Sequence, residues 1–408
     1  MNRKHGRAAY ARGAVCLWGL AGLLSGCVPG GPVVTVTNPL DMERTGEMAE
    51  LPFEELSDRY GLTPGSFVIR DEAGKEVPYQ QAAGGTLIFP VSVEANGQAV
   101  YRFEAGQPSP VQPVACGRQY PERLDDLAWE NDKSGYRAYG PALQQTGERA
   151  YGYDILAKSV PEPVLEQRYA RELDPMARQQ IADWRKAGLA AKADSLARAI
   201  SYHVDHGNGL DCYAVGPTLG GGTAALWVDS TLLYPYCYQD YEVLDNGPLR
   251  FTVRLTYPPA TVGNDTAVVE TRVISLDAGS HLNRTVVTYA GLSRPMQVAA
   301  GIVIHPQNPD GYRYDQAQRY LAYADSTDNA QAGNGVIYVG VVFADSLAEA
   351  CVDKGHVLGL NPYRPGSGFR YCWGSGWSKA GVPSMEAWCD YLRRYALRLE
   401  HPLQIEVK

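Results

Sequence analysis

From Phe251 to Tyr257 the chain alternates without a slip: Phe251, Val253, Leu255 and Tyr257 are apolar, while Thr252, Arg254 and Thr256 are polar. A repeat of two residues is the signature of a strand with one face buried; a helix brings its apolar face round only at every third or fourth position. Similar runs follow in AVVETRVISL, HLNRTVVTYAG, MQVAAGIVIHP and GVIYVGVVF, separated by turn sequences such as GND, DAGS and AGNG. Such strands predict an antiparallel meander with one polar and one apolar face. Upstream, VVTVTN opens a strand. GSFVIRDEAGKEVPYQ and GTLIFPVSVEANGQAVYRFEAG each read as a hairpin, turning at DEAGKE and ANGQ. The chain is therefore expected to be mainly β.

One stretch breaks the pattern. Residues 168–200 are rich in alanine, arginine and lysine, and Ile181, Trp184, Leu189, Leu196 and Ile200 recur at helical spacing. Pro175 suits a first helical turn behind Asp174, a favoured N-cap, and Gly188 divides the segment. A last helix is expected in SMEAWCDYLRRYALRL, after which PLQIEV returns as an edge strand. These elements set the expected organisation: an N-terminal β unit over 34–110 packed on a main β domain over 111–408, with a helical insertion at about 168–200.

The first 26 residues read as a secretory leader. Arg3, Lys4, Arg7 and Arg12 precede the short apolar run GAVCLWGLAGLLSG, which is too short to span a bilayer comfortably. LSGC resembles a bacterial lipobox, so Cys27 is expected to carry a lipid, with residues 27–33 as a tether. The protein is then exported and anchored to the bacterial outer membrane, on its periplasmic or outer face. Loss of the four leader cations takes the net charge from −8 to −12. A chain that acidic, without a basic block, is not a nucleic-acid binder. Cys116, Cys212, Cys237, Cys351, Cys372 and Cys389 contain no C-x-x-C pair, which argues against a zinc ribbon. They read as isolated thiols ahead of a three-bridge framework. The 27 tyrosines against 7 phenylalanines suit either surfaces that stack on sugar rings or ordinary edge strands.

Chemistry concentrates in SYHVDHGNGLDCYAVG, which packs His203, Asp205, His206 and Asp211 among glycines. Gly207 and Gly209 bend the chain so that Asp211 can fold back towards the histidines. Three readings fit: catalysis or substrate contact, a divalent metal held by His203, Asp205 and His206, or a hydrogen-bonded turn. A second segment, PERLDDLAWENDKSGYRAYGPAL, sets Arg123, Asp125, Asp126, Glu130, Asn131, Asp132, Arg137 and Tyr139 around Trp129. Polar groups fixed among aromatics suit a polar ligand. In VGPTLGGGTAALW the Lys-Ser/Thr ending of a phosphate loop is missing, so the glycines mark a tight turn where backbone approaches a ligand or another strand. Arg254, Arg272 and His305 lie on or beside the meander, where they either meet the carboxylate of an acidic sugar or form cross-strand pairs such as Arg254 with Glu270. Trp373 and Trp377 would stack on sugars or fill a core.

PERLDDLAWENDKSGYRAYGPAL, YHVDHGNGLDCYAVGPTLGGG, NGPLRFTVRLTY, SLDAGSHLNR and YCWGSGWSK together resemble a domain-of-unknown-function family of secreted and lipidated bacterial proteins encoded beside pectin- and other polysaccharide-degrading enzymes. The resemblance spans residues 120–380. It implies a large curved antiparallel β-sandwich like those of galactose mutarotases and several polysaccharide lyases, and a saccharide partner. The expected function is action on uronic-acid-containing oligosaccharides. In a lyase, His203 or His206 serves as base, Arg137 and Asn131 hold the carboxylate, and Tyr139 or Tyr213 is the acid. Trp129, Arg254, Arg272, His305 and Trp373 complete the expected substrate contacts. A hydrolase would use a carboxylate pair from Asp125, Asp126, Glu130 and Asp211. A mutarotase or epimerase would pair a histidine with a carboxylate, and a non-catalytic glycan-binding lipoprotein would need the aromatics and arginines alone.

Overall fold

The computed structural model describes residues 31–326 and 330–408. The leader, Cys27 and most of the tether lie outside the described residues. Strands far outnumber helices, and every pairing between named strands is antiparallel. The protein is mainly β, as its alternation requires.

Two sheets face each other across the main core. The larger has nine strands, among them Arg250–Thr256, Asp265–Asp277, Leu282–Ala290, Phe369–Trp377 and Ile337–Phe343. The other has five, centred on Gly221–Val228, Met296–Val303 and His356–Tyr363. Val253, Ile274, Val339 and Trp373 from the first share one core with Leu226, Val298 and Ile302 from the second. The outer face of the large sheet is covered by the helix Met385–Glu400, whose Trp388 and Leu392 pack on Tyr338 and Val342. That explains why Ile337–Phe343 is buried at all seven positions: it is apolar on both faces because both are covered.

The expected simple meander is corrected in two places. Met296–Val303 leaves the large sheet for the smaller one, and Phe369–Trp377 inserts between Leu282–Ala290 and Ile337–Phe343. The expected ANGQ hairpin is also corrected. Thr86–Val93 pairs with Arg44–Pro52, whereas Gln98–Ala105 pairs with Val33–Thr37 and Phe67–Arg70. The turn is a corner between two sheets, a geometry that local turn residues do not distinguish from a hairpin. Val34, Phe67, Phe89 and Phe103 fill the core between them. The last strand, Gln404–Val407, pairs with Val33–Thr37, so the end of the chain joins the sheet begun by its first described strand.

The helical segment comprises Leu165–Glu172, Pro175–Lys186 and Ala190–Ile200. Asp174 accepts a hydrogen bond from the Ala177 N–H at 2.8 Å, and Gly188 separates the last two helices at φ +73°. Among the described residues no helix is long and apolar enough to cross a membrane. Cys116, Cys237, Cys351, Cys372 and Cys389 carry free thiols. Burial pushes those of Cys116, Cys237 and Cys372 up to about 11, which removes them as nucleophiles near neutral pH.

His356 joins the smaller sheet to the loop before it. Its Nε2 accepts the Leu219 N–H at 3.1 Å, and its Nδ1 lies 2.7 Å from the Lys354 carbonyl. Burial pushes its pKa from 6.5 to about 4. Between those values the unfolded chain takes up a proton that the folded protein refuses, so stability is lost as pH falls through that window. The loss attributable to His356 reaches up to about 3 kcal/mol. Urea unfolding between about pH 7 and about pH 4 should show a shallower fall in His356→Gln than in the wild type. Parallel profiles would remove His356 as the cause.

Candidate functional site

The four-stranded sheet of Cys116–Tyr120, Asp126–Glu130, Ser134–Ala138 and Asp154–Ala157 builds the site. Alternation sends Leu127, Trp129, Tyr136 and Ile155 into the main core. Asp126, Arg137 and Asp154 therefore project from the opposite face. Arg137 stands opposite Asp154 in register. The segment 201–216 delivers a third carboxylate: Leu210 exchanges backbone hydrogen bonds with Ala157, and Asp211 bridges to Leu156. Gly209 makes this approach possible. At φ +96° it passes so close that a Cβ there would lie 2.2 Å from the Ala157 oxygen.

Three carboxylates converge on Arg137. Its Nε donates to Asp154 at 3.0 Å, Nη1 to Asp126 at 3.4 Å, and Nη2 to Asp211 at 2.9 Å. Nη2 also reaches the Tyr139 hydroxyl at 3.3 Å, and that hydroxyl donates to Asp154 at 2.6 Å. Tyr169 donates to Asp126 at 3.2 Å. Three buried carboxylates on one guanidinium leave excess negative charge, so the cluster favours holding a proton. Burial pushes Asp211 up to about 6 despite Arg137, with Asp154 adding to the rise, and burial raises Asp126 as well. His203 connects the cluster to solvent. Its side chain is 57% exposed, and its Nδ1 lies 2.9 Å from the Asp211 carbonyl and 4.0 Å from the Asp211 carboxylate.

Two residues further on, Tyr213 is buried, and its hydroxyl has no hydrogen-bond partner. Burial first, then the Asp325 and Asp154 carboxylates, hold this phenol well above its usual value. The His305 ring lies 5.8 Å from the Tyr213 ring, and its Nδ1 is 2.5 Å from the Asp325 carboxylate. The assembly thus has an acidic cluster, a phenol locked in its neutral form, and two histidines, His203 and His305, whose Nδ1 atoms are tied down. Arg123 lies beside the acidic cluster. Its Nε donates to Tyr202 at 3.2 Å, and Asp126 and Arg137 are close enough to act on its charge.

The two stretches singled out in the sequence therefore meet, bringing Tyr139, Arg137, His203, Asp211, Tyr213 and His305 together. Other expected members have different tasks. The Asn131 amide donates to the Asp277 and Ser280 carbonyls, and its oxygen accepts from the Lys133 and Ser134 N–H groups; it is a buried joint. Arg137 itself is buried and ion-paired with three carboxylates, so it is not placed to clamp a substrate carboxylate. Trp129 and Trp373 are core residues, bonded through Nε1 to Asn283 and Thr285, and Trp377 donates to the Asn334 carbonyl. Arg254 forms an exposed pair with Glu242 instead of meeting Glu270, which belongs to the buried Arg272.

His206 turns away to the Ser201 carbonyl, 3.0 Å from Nε2. Asp205 Oδ1 accepts the Gly207 and Gly209 N–H groups at 2.8 and 3.0 Å, closing an Asx-type turn. With both committed, the metal reading of His203, Asp205 and His206 is corrected: their donors do not converge, and no other group of three His, Cys, Asp or Glu suited to a metal occurs among the described residues. Of the hydrolase carboxylates, Glu130 is consumed. It accepts the Val164 and Leu165 N–H groups at the start of a helix and an ion pair from Lys158 at 2.5 Å. Gly222 in the glycine triplet brackets backbone against Trp373, whose Cβ would be 2.6 Å from an added one; it serves strand packing.

Asp154, Tyr169 and Asp325 are the members that sequence reasoning missed, while Arg123 is singled out there only as part of its segment. Asp154 had a usable signal, since a single aspartate in the apolar run YDILA is either an error of packing or a buried partner for a cation.

The chain belongs to the family described as a domain of unknown function, DUF4861, whose profile matches residues 36–405. A relative from Formosa agariphila, named uncharacterized protein P7, is 24% identical over 397 residues, covering 92% of this chain and 93% of its own. Two solved structures from Enterococcus faecalis align with it at low similarity. One is an alpha-mannosidase from strain V583, 9% identical with a TM-score of 0.43, covering 92% of this chain and 46% of that one. The other is a protein in glycosyl hydrolase family 38, 10% identical with a TM-score of 0.41, covering 93% and 47%. The chain spans about half the length of these two structures.

Proposed function

We propose that this protein is a cell-envelope lipoprotein, anchored through Cys27, that cleaves uronic-acid-containing oligosaccharides by acid–base elimination. The observation that carries the reading is the unpartnered, buried Tyr213 hydroxyl beside a histidine held by a carboxylate. Elimination needs a base for the proton α to the sugar carboxylate, a charge that meets the enolate-like intermediate, and an acid at the leaving oxygen. His305, oriented by Asp325, takes the proton as the carbon–oxygen bond beyond it breaks. Tyr213 gives its proton to the departing oxygen. Arg123 replaces Arg137 as the guanidinium for the substrate carboxylate, because its terminal nitrogens bond nothing among the described residues. His203 lines the rim over Asp211.

A second reading rests on Asp211 itself: a carboxyl held up to about 6 is suited to act as the general acid of a hydrolase. One experiment separates the readings. The mature chain is incubated with pectic and glycosaminoglycan oligosaccharides, and products are followed by unsaturated-uronate absorbance and mass spectrometry. Elimination raises the absorbance with no gain of mass across the products. A gain of one water replaces elimination with hydrolysis. Binding without turnover of any uronate oligosaccharide overturns the enzyme reading in favour of a glycan-binding lipoprotein.

A further inference from the structure

A second concave site lies on another part of the sandwich, in a cavity of about 160 Å³. Its walls include Tyr234, Tyr236, Tyr257, Pro258 and Tyr289, and Glu270 contributes the charged group. Glu270 and Tyr289 are direct cross-strand neighbours, so both present to the same face. Tyr289 is buried, and its hydroxyl has no partner. A buried hydroxyl left unbonded costs free energy that a ligand oxygen can recover. Glu270 is held on one side by the Arg272 Nε, while Arg272 is otherwise spent on the Tyr153 hydroxyl and the Ala224 carbonyl, both at 3.0 Å.

We propose that this cavity binds one neutral sugar ring, packed against the tyrosine and proline walls with its hydroxyls bonded to Glu270 and Tyr289. The proposal does not rest on the reading of the Tyr213 site. Three observations select the ligand class. The volume falls below the ~300 Å³ at which pockets for drug-sized ligands begin, so it suits a single ring. Glu270 is an acceptor-only carboxylate, which favours ligand hydroxyls and disfavours a uronate. A cationic ligand is disfavoured because Arg272 already supplies the positive charge, with its guanidinium carbon 4.5 Å from the Tyr257 ring centre. Tyrosine and proline faces meet the C–H faces of a sugar without needing charge.

The test titrates the full mature chain with galactose, mannose, rhamnose and xylose, alongside galacturonate and choline, using saturation-transfer and chemical-shift NMR. Two variants leave the fold intact by construction: Tyr289→Phe deletes one oxygen, and Tyr236→Ala alters a side chain that is 46% exposed. The expected result is millimolar binding of at least one neutral sugar, weakened about fivefold or more in each variant and unchanged in Tyr213→Phe. Wild-type binding in both variants, tighter binding of choline or galacturonate that the two variants abolish, or no binding of any neutral sugar would each overturn the proposal. The Tyr213→Phe arm keeps a failure here distinct from a failure of the elimination reading.

Discussion

Tyr213→Phe should lower turnover of a uronate oligosaccharide by about 10²–10⁴-fold, the contribution usual for a positioned general acid. Stability should hold or rise slightly, because the deleted hydroxyl is buried and bonds nothing. The contrast between the two readouts is what makes the variant informative. A hydroxyl that served structure would have a partner, and its removal would lower the melting temperature. KM should change little, since the phenol acts at the leaving oxygen and not in holding the substrate. Steady-state kinetics on the substrate found in the product assay, with thermal unfolding in parallel, checks the prediction. Wild-type kcat in the variant would remove Tyr213 from the chemistry.

Arg137→Met has the largest expected effect on stability. It strips the guanidinium that is ion-paired with Asp126, Asp154 and Asp211, all of which are almost wholly excluded from water. Breaking a buried ion network in this way costs about 3–5 kcal/mol, a large share of the 5–15 kcal/mol that stabilises a typical domain. The loss should depend on pH in a defined sense. Asp126 and Asp211 are already raised by burial and are lowered by Arg137; without it they are held further above their unfolded values, so the folded variant binds more protons than the unfolded chain. Its stability then falls as pH rises, and the gap to the wild type widens from about pH 5 to about pH 8. The His356 contribution is common to both chains and cancels in the comparison. Urea unfolding at both pH values reads the effect; a variant within about 1 kcal/mol of the wild type at the higher pH would refute the cluster's structural role.

The position of Arg137 also explains why the site was only partly legible. Its neighbours in sequence, Tyr136 and Tyr139, advertised a polar group fixed among aromatics, and that much was correct. Its partners lie 11, 17 and 74 residues away, and nothing local distinguishes an arginine waiting for a substrate carboxylate from one already satisfied by three of its own. Asn131, Trp129 and Trp373 were misread for the same reason. Each has the composition of a ligand contact, and each is committed to a distant part of the chain. His203 and Asp211 fared better because the glycines between them limit where the backbone can go.

The same division runs through the fold. Alternation at Phe251–Tyr257, the Asp174–Pro175 helix start and the break at Gly188 follow from interactions within a few residues, so the amino-acid order alone determined them. Which strand lies beside which did not follow: Gln98–Ala105 passes over its neighbour in sequence to pair with Val33–Thr37, and Phe369–Trp377 enters between two earlier strands. Backbone hydrogen bonding is the same for every strand, so partners are chosen by which apolar faces bury together over the whole chain. That choice also decided that the Tyr213 hydroxyl would be buried without a partner while Arg137 was buried against three carboxylates of its own chain.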